Sequence, residues 1–253
     1  MKKYRISNGQ IVDVSGNPVV LRGVNLVCKD RSLGYIFPDY KGIIAKIAEL
    51  KMNVIRLGIF WDAIEPAPGV YDDSYLCKVK DIVNEADAHG VAVYLDMHQD
   101  LFSSLHEDGA PGWATLTNGA VYEKTELWSE AYLTCPAVQF SFDSFWENAI
   151  PKGSNIGLQD HFILMWKHVI EFFKDSENVI GVDVFNEPFP GTCSNSLMEQ
   201  LLTTLALHLS ENPDQLAAIL GEAAADVSPA NMGEVVMNIW LANAKKATHL
   251  DFV

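Results

Sequence analysis

Glu187 stands in the run Phe185-Asn186-Glu187-Pro188, directly after the apolar stretch 179–185, which reads as a buried β-strand. A carboxyl held at such a strand end against apolar walls has its neutral form favoured, because burial penalises the charge. A carboxyl that keeps its proton near neutral pH suits a general acid. Asn186 offers a hydrogen bond to a substrate hydroxyl, and Pro188 turns the chain out of the strand. The same residues also fit a helix N-terminus at which Glu187 meets backbone donors. Arg56 lies inside a second apolar run, 53–58. A guanidinium there needs an anionic partner. Glu187 or another strand-end carboxylate would serve, and a purely structural salt bridge is the competing reading. His98 follows a third apolar run, in Asp96-Met97-His98-Gln99-Asp100, where it can hydrogen-bond a substrate or a neighbouring carboxylate. His98 with Asp100 is a weak metal-ligand signal. With no second histidine pair at metal-site spacing, a metal-dependent hydrolase ranks last, and no metal or cofactor is expected.

These residues need elements to position them. Residues 9–20 alternate around Ser15-Gly16-Asn17-Pro18 and suggest a β-hairpin, a lid on one end of the fold. An apolar run with Gly23 inside it predicts a buried strand at 20–27. Strands are also predicted at 53–58, 91–97 and 179–185. Helical spacing of apolar residues predicts helices at 40–51, at 73–89 (stopped by Gly90) and at 160–174. Short apolar strands alternating with helices mean βαβ units and a parallel sheet, hence an α/β fold. The polar residues cluster just past the strands' C-terminal ends, where such folds place their sites. The segment 101–159, rich in Gly, Trp and Tyr, is too long for a connector and is expected to build a substrate cleft. After Pro190 the pattern changes to Ala- and Leu-rich helices at 197–209, 214–225 and 232–246.

The formal net charge is −15 at pH 7. That disfavours nucleic acid and anionic membrane surfaces, which would repel the chain, and it also serves solubility. No stretch approaches the roughly 20 apolar residues of a membrane span, so no stable membrane anchoring is expected. Residues 1–11 lack the apolar run of a secretory signal. The four cysteines, Cys28, Cys77, Cys135 and Cys193, show no paired or zinc spacing. They read as free thiols of a reducing compartment, giving a cytoplasmic expectation, or a secreted one if a leader has been lost.

Arg56 in Val54-Ile55-Arg56-Leu57-Gly58, His98 in Asp96-Met97-His98 and Asn186-Glu187-Pro188 resemble the signature of glycoside hydrolase family 5. The nearer likeness is to its endoglycoceramidase branch. It is carried by Leu21-Arg22-Gly23-Val24-Asn25-Leu26-Val27, by residues 61–71, by Asp96-Met97-His98-Gln99-Asp100, by Phe142-Asp143-Ser144-Phe145-Trp146 and by Asn186-Glu187-Pro188-Phe189-Pro190-Gly191. The resemblance covers roughly residues 4–195. It implies a (β/α)8 TIM-barrel and a retaining hydrolase that cleaves between a glycan and ceramide or a related lipid. It makes Glu187 the acid/base, with Asn186 and His98 lining the site. It implies that Lys29 and Asp100 bind hydroxyls of the sugar next to the lipid, and that Trp146 is a sugar-stacking platform. Lys29 also reads as a solvated loop lysine, and Trp146 as core beside Phe142 and Phe145. A β-glucosidase or cellulase-like specificity is the nearest competitor.

A retaining glycosidase needs a second carboxyl, which the resemblance places after a seventh strand. Three more βα units of about 30 residues each do not fit after Glu187. Glu222, in Ile219-Leu220-Gly221-Glu222, falls in a predicted helix. The expectation is therefore the first half of a barrel, four βα strands within one domain over 1–253, with a helical insertion at 196–253. Such a half exposes two sheet edges and an apolar interior. It would form a homo-oligomer, need a second chain to complete the barrel, or act only as an inactive carbohydrate- or glycolipid-binding fragment.

Overall fold

In the computed structural model, residues 4–196 are described, and those up to Ser194 belong to one compact unit. The helices expected at 197–246, Glu222 and the insertion at 196–253 lie outside them, save residue 196. Strands β1 (Tyr4–Ser7) and β2 (Gln10–Asp13) form an antiparallel hairpin. Its turn is Asn8-Gly9, both at positive φ (49° and 74°), a pairing that matches the twist of two-residue hairpins. The expected Ser15–Pro18 turn is also present and closes a second antiparallel arm, in which the Asp13 amide donates to the Asn17 carbonyl and the Val19 amide to the Ile11 carbonyl (both 2.9 Å). Asp13 Oδ1 accepts from the Ser15 and Asn17 amides, and Val12 bridges Pro18.

The expected parallel sheet is present. Strands β3 (Gly23–Leu26), β4 (Val54–Phe60), β5 (Ala92–His98) and β6 (Val179–Asp183) pair side by side in chain order. Helices α1 (Tyr40–Glu49), α3 (Asp73–Ala88) and α6 (Leu158–Phe173) supply the crossovers, with a single turn, α2 (Trp61–Ile64), directly after β4. Asp39 and Asp72 cap α1 and α3 through the Gly42 and Ser74 amides. Ile55, Leu57 and Ile59 of β4, with Val93, Leu95 and Met97 of β5, face the helices and join Ile44, Ile47, Leu76 and Val79 in the core. Burying such side chains contributes about 1.5–3 kcal/mol each.

The opposite face departs from expectation at β3. Gly23, Val24 and Asn25 are exposed, so this strand is not the buried one its apolar run predicts. It is an edge strand without a second neighbour among the described residues. A cavity of about 520 Å³ opens on this face, lined by Val24, Val54, Arg56, Tyr94 and Ile180 among others. Parallel sheets ordinarily have both faces covered.

Segment 101–159 is built structure. It holds α4 (Ala131–Thr134) and α5 (Pro136–Trp146), with proline at the first helical turn of α5, where its missing N–H costs nothing. Phe102 and Phe142 meet at 5.1 Å, Phe145 and Phe185 at 5.2 Å, and Phe142 and Phe189 at 5.6 Å. The chain on both sides of Glu187 is thus packed onto this segment. From α6, Trp166 Nε1 donates to the Val184 carbonyl (2.9 Å) and supports the end of β6.

Glu65 ties these layers together. Fully buried, it accepts from Trp61 Nε1 (2.8 Å) and the Gly69 amide (2.7 Å), and it pairs with His161 Nδ1 (2.8 Å). Removing the carboxylate strands buried donors on α2 and α6, each of which carries a desolvation cost. Glu65→Ala is expected to lower unfolding free energy by on the order of 3 kcal/mol, read from urea denaturation of the whole chain.

Candidate active site

The site begins at Arg56. In the parallel register Gly58 of β4 lies beside Asp96 of β5, which lies beside Asp183 of β6. One sheet face therefore carries Arg56, Asp96 and Asp183 together. Arg56 Nη2 donates to Asp96 Oδ1 (2.7 Å), Asp183 Oδ2 (2.7 Å) and Asn186 Oδ1 (2.8 Å), and its Nε donates to Asp183 (3.1 Å). The anionic partner demanded by the sequence is thus a pair of in-strand aspartates; no bond from Arg56 reaches Glu187. Asp96, fully buried, also meets His98 Nδ1 at 2.8 Å. An Nδ1–H donating to that carboxylate fixes the ring and turns Nε2 toward the site. Phe60 walls the imidazole edge-on at 5.7 Å, and Tyr35 stacks on Phe60 at 4.1 Å.

Asn186 and Glu187 are held by a residue that sequence reasoning passed over. Gln99 Nε2 donates to the carbonyls of Asn186 (2.7 Å) and Glu187 (3.2 Å), while Asn186 Nδ2 donates back to the Gln99 carbonyl (3.1 Å). The Asn186 amide donates to the Met97 carbonyl (3.0 Å). Gln99 Oε1 accepts from the Phe102 amide (2.7 Å), which fixes a turn where Leu101 and Phe102 both take positive φ (55° and 74°). Glu187 itself has φ 43°. Non-glycine residues in this region carry strain that tends to collect at working sites.

Glu187 is exposed, which corrects the expectation of apolar walls around it. The chain leaves the sheet at Asp183, and the left-handed turn carries Glu187 to the rim, where no described side chain encloses it. Trp146 is 44% exposed, anchors Nε1 on the Phe189 carbonyl (2.8 Å) and lines a cleft of about 350 Å³ with Phe185 and Pro188. One face is therefore packed and the other open. Lys29 and Asp100 do come together as an ion pair, and the Lys29 ammonium lies 5.8 Å above the Trp128 ring. Arg56, Asp96, His98, Asn186 and Glu187 form one connected group, with Lys29 and Asp100 beside His98.

Asp108 is a second residue missed in sequence. It is 3% exposed and lies against Asp100 through reciprocal backbone bonds (3.2 and 3.3 Å). One atom each from His98, Asp100 and Asp108 lie within 4.8 Å of one another, a grouping that could hold a metal ion. The donor types fit a divalent cation, although the Lys29 ammonium already neutralises Asp100. Burial first, and the Asp100 charge second, push the Asp108 carboxyl up to about 7, against the opposing pull of His98 and Lys29.

Residues 12–222 match the sequence model of the family described as Cellulase (glycosyl hydrolase family 5). The chain is similar to an endoglycoceramidase of Cyanea nozakii, 31% identical over 211 residues that cover 72% of this chain and 41% of that protein. Among solved structures it resembles an endogalactoceramidase, with TM-score 0.65 and 30% identity, covering 76% of this chain and 45% of that one. It also resembles the endo-glycoceramidase II from Rhodococcus sp. in complex with ganglioside GM3, with TM-score 0.64 and 33% identity, covering 71% and 42%. The same protein as a lactosyl-enzyme intermediate gives TM-score 0.62 and 33% identity, covering 71% and 43%. The chain thus spans about two fifths of the length of these relatives. The fold is that of a (β/α)8 barrel, of which the described residues form four parallel strands with their helices.

The Asp108 shift has a stability consequence. Its folded pKa lies above the unfolded value near 4, so its contribution is fully present below about pH 4 and is lost as pH rises to about 7. Asp108→Asn does not titrate. Its unfolding free energy relative to wild type is expected to rise by on the order of 3 kcal/mol between pH 4 and 7 and then level off, as measured by urea melts across pH.

Proposed function

Because this chain belongs to the cellulase family, glycosyl hydrolase family 5, we propose that it serves in retaining hydrolysis of a β-glycosidic bond between a glycan and ceramide or a related lipid. The carrying observation is the clamp of Arg56 on Asn186, and of Gln99 on both Asn186 and Glu187, past the C-terminal end of β6. Glu187 then gives its proton to the leaving oxygen and, as a base, later takes one from water. Asn186 binds a hydroxyl of the sugar on the cleaved bond. Lys29 and Asp100 bind hydroxyls of the sugar next to the lipid, and the open face of Trp146 stacks on a pyranose.

The relatives support the lipid aglycone through their named glycolipid activities, and the lactosyl-enzyme of the Rhodococcus protein supports covalent retention. Retention requires a nucleophilic carboxylate about 5–5.5 Å from the acid/base. We assign it to strands that complete the barrel beyond β6, downstream of Val253 or on a second copy or chain. Those strands and the bound glycolipid would supply the low-dielectric surroundings that the exposed Glu187 does not find among the described residues.

Glu187→Gln is expected to cut kcat/KM on a fluorescent glucosylceramide-type glycolipid by about 100- to 10,000-fold. The loss should be far smaller on an aryl glycoside whose leaving group departs without a proton. Equal losses on both substrates would remove Glu187 from the acid/base role. Glycolipid binding without hydrolysis of either substrate by wild type would instead favour a carbohydrate-binding protein.

A further inference from the structure

His98 Nε2 and Asp108 Oδ1 are buried polar atoms with no hydrogen-bond partner among the described residues. His98 is 7% exposed and Asp108 3%. Buried polar groups are normally satisfied, and one that is not calls for an explanation. Both residues converge on Asp100: one ligand atom from each of the three lies within 4.8 Å of the others, and His98 Nε2 stands 4.0 Å from Asp100 Oδ2.

This placement is built into the chain. Gly109 has φ +123°, and a Cβ there would sit 2.6 Å from Gln99 Cβ and from the Phe102 carbonyl. Only glycine lets the loop come this close. The Gly109 carbonyl accepts from the Asp62 amide (2.9 Å), and the Ala110 amide donates to Phe102 (2.7 Å). Asp108 is thereby pressed onto the strained turn that follows β5.

We propose that Asp108 is a substrate-binding residue which, with His98 Nε2, receives one hydroxyl of the glycan beside the Lys29–Asp100 pair. The inference rests on the glycosidase reading above and adds Asp108 to it. An oxygen equidistant from three atoms up to 4.8 Å apart lies up to about 2.8 Å from each, the length of an O–H···O bond. A hydroxyl both donates and accepts. Asp100 offers an acceptor, Lys29 and protonated Asp108 offer donors, and His98 Nε2 is the remaining polar contact. A divalent cation fits less well, since the Lys29 ammonium already stands on Asp100. The groups facing Asp108 are Asp100 and His98 from the end of β5, Lys29 from beyond β3, and Tyr35 from the loop before α1. Because burial and Asp100 keep its proton on to about pH 7, its donor role fades above that pH.

The whole chain is titrated with methyl β-glucoside, methyl β-galactoside and their monodeoxy analogues at pH 5.5 and pH 8.5, wild type beside Asp108→Asn and Asp108→Leu. At pH 5.5 one deoxy analogue is expected to bind wild type about tenfold or more weakly than its parent. Asp108→Leu should shrink that discrimination to within about twofold. Asp108→Asn, which keeps a donor at every pH, should retain it at pH 8.5, where wild type loses it. Discrimination unchanged in a folded Asp108→Leu overturns this role alone. Failure of wild type to bind either parent glycoside sinks the glycosidase reading with it. Mn²⁺ that binds wild type, displaces the glycoside and is lost in Asp108→Leu makes the space a cation site and overturns the hydroxyl assignment.

Discussion

Arg56 is a guanidinium inside a β-strand, and its charge must be met by carboxylates that the sheet itself supplies. The parallel register does this by aligning Asp96 and Asp183 on the face that Arg56 shares. Asp96 is fully buried and depends on the bonds from Arg56 and His98. Neither charge could remain alone in that position, since removing one partner of a buried pair leaves the other desolvated and uncompensated. This requirement constrains three strands at once. It also orients His98, because Asp96 accepts from Nδ1–H and so leaves Nε2 facing the site. The third arm of Arg56 reaches Asn186. The charge balance of the interior and the placement of the candidate acid/base are therefore one arrangement.

A second constraint is backbone geometry at the rim. Leu101, Phe102 and Glu187 all take positive φ, and Gln99 bonds into both turns. The aromatic segment beneath, from Phe102 through Phe142 and Phe145 to Phe185 and Phe189, packs the turns from below. Strain of this kind persists where surrounding contacts over-determine it. Here the polar clamp and the apolar packing act on the same few residues from opposite sides.

The periodic elements were legible. Alternating strands and helices, the clustering of His98, Asp100 and Glu187 past strand ends, and the place of Arg56 inside a strand follow from apolar spacing alone. Segment 101–159 was read as the builder of a cleft, and its rings pack beneath the rim of the site. The exposure of β3 was half legible: the count of four strands implied open edges, while the run 20–27 by itself read as buried. An apolar run looks the same whether its second neighbour is present or lies outside the described residues. Asp183 as a partner of Arg56 was hidden because that pairing depends on register across three strands and 127 positions of sequence. Gln99 lay inside a motif quoted for its neighbours. Asp108 carried one usable signal, the glycine after it, which sequence alone reads as a simple turn. The close approach that excludes every other residue at 109 exists only once Gln99 and Phe102 are in place.

The exposed Glu187 and the open interior face belong to one physical problem. A general acid needs a medium that disfavours its charge, and a parallel sheet needs a cover on its second face. The described residues provide the rigid clamp and leave both needs unmet on the same side of the sheet, where Val24, Val54, Tyr94 and Ile180 line open space. Whatever covers that face brings the low dielectric at the same time. Cover and catalysis are thus coupled: packing against β3 and β6 would remove water from the neighbourhood of Arg56, and strengthen its bonds to Asp96, Asp183 and Asn186. The same event would raise the cost of ionising Glu187. In that sense the clamp is preorganised on one half of the interior, and the carboxyl it presents becomes an effective acid only when the other half closes over it.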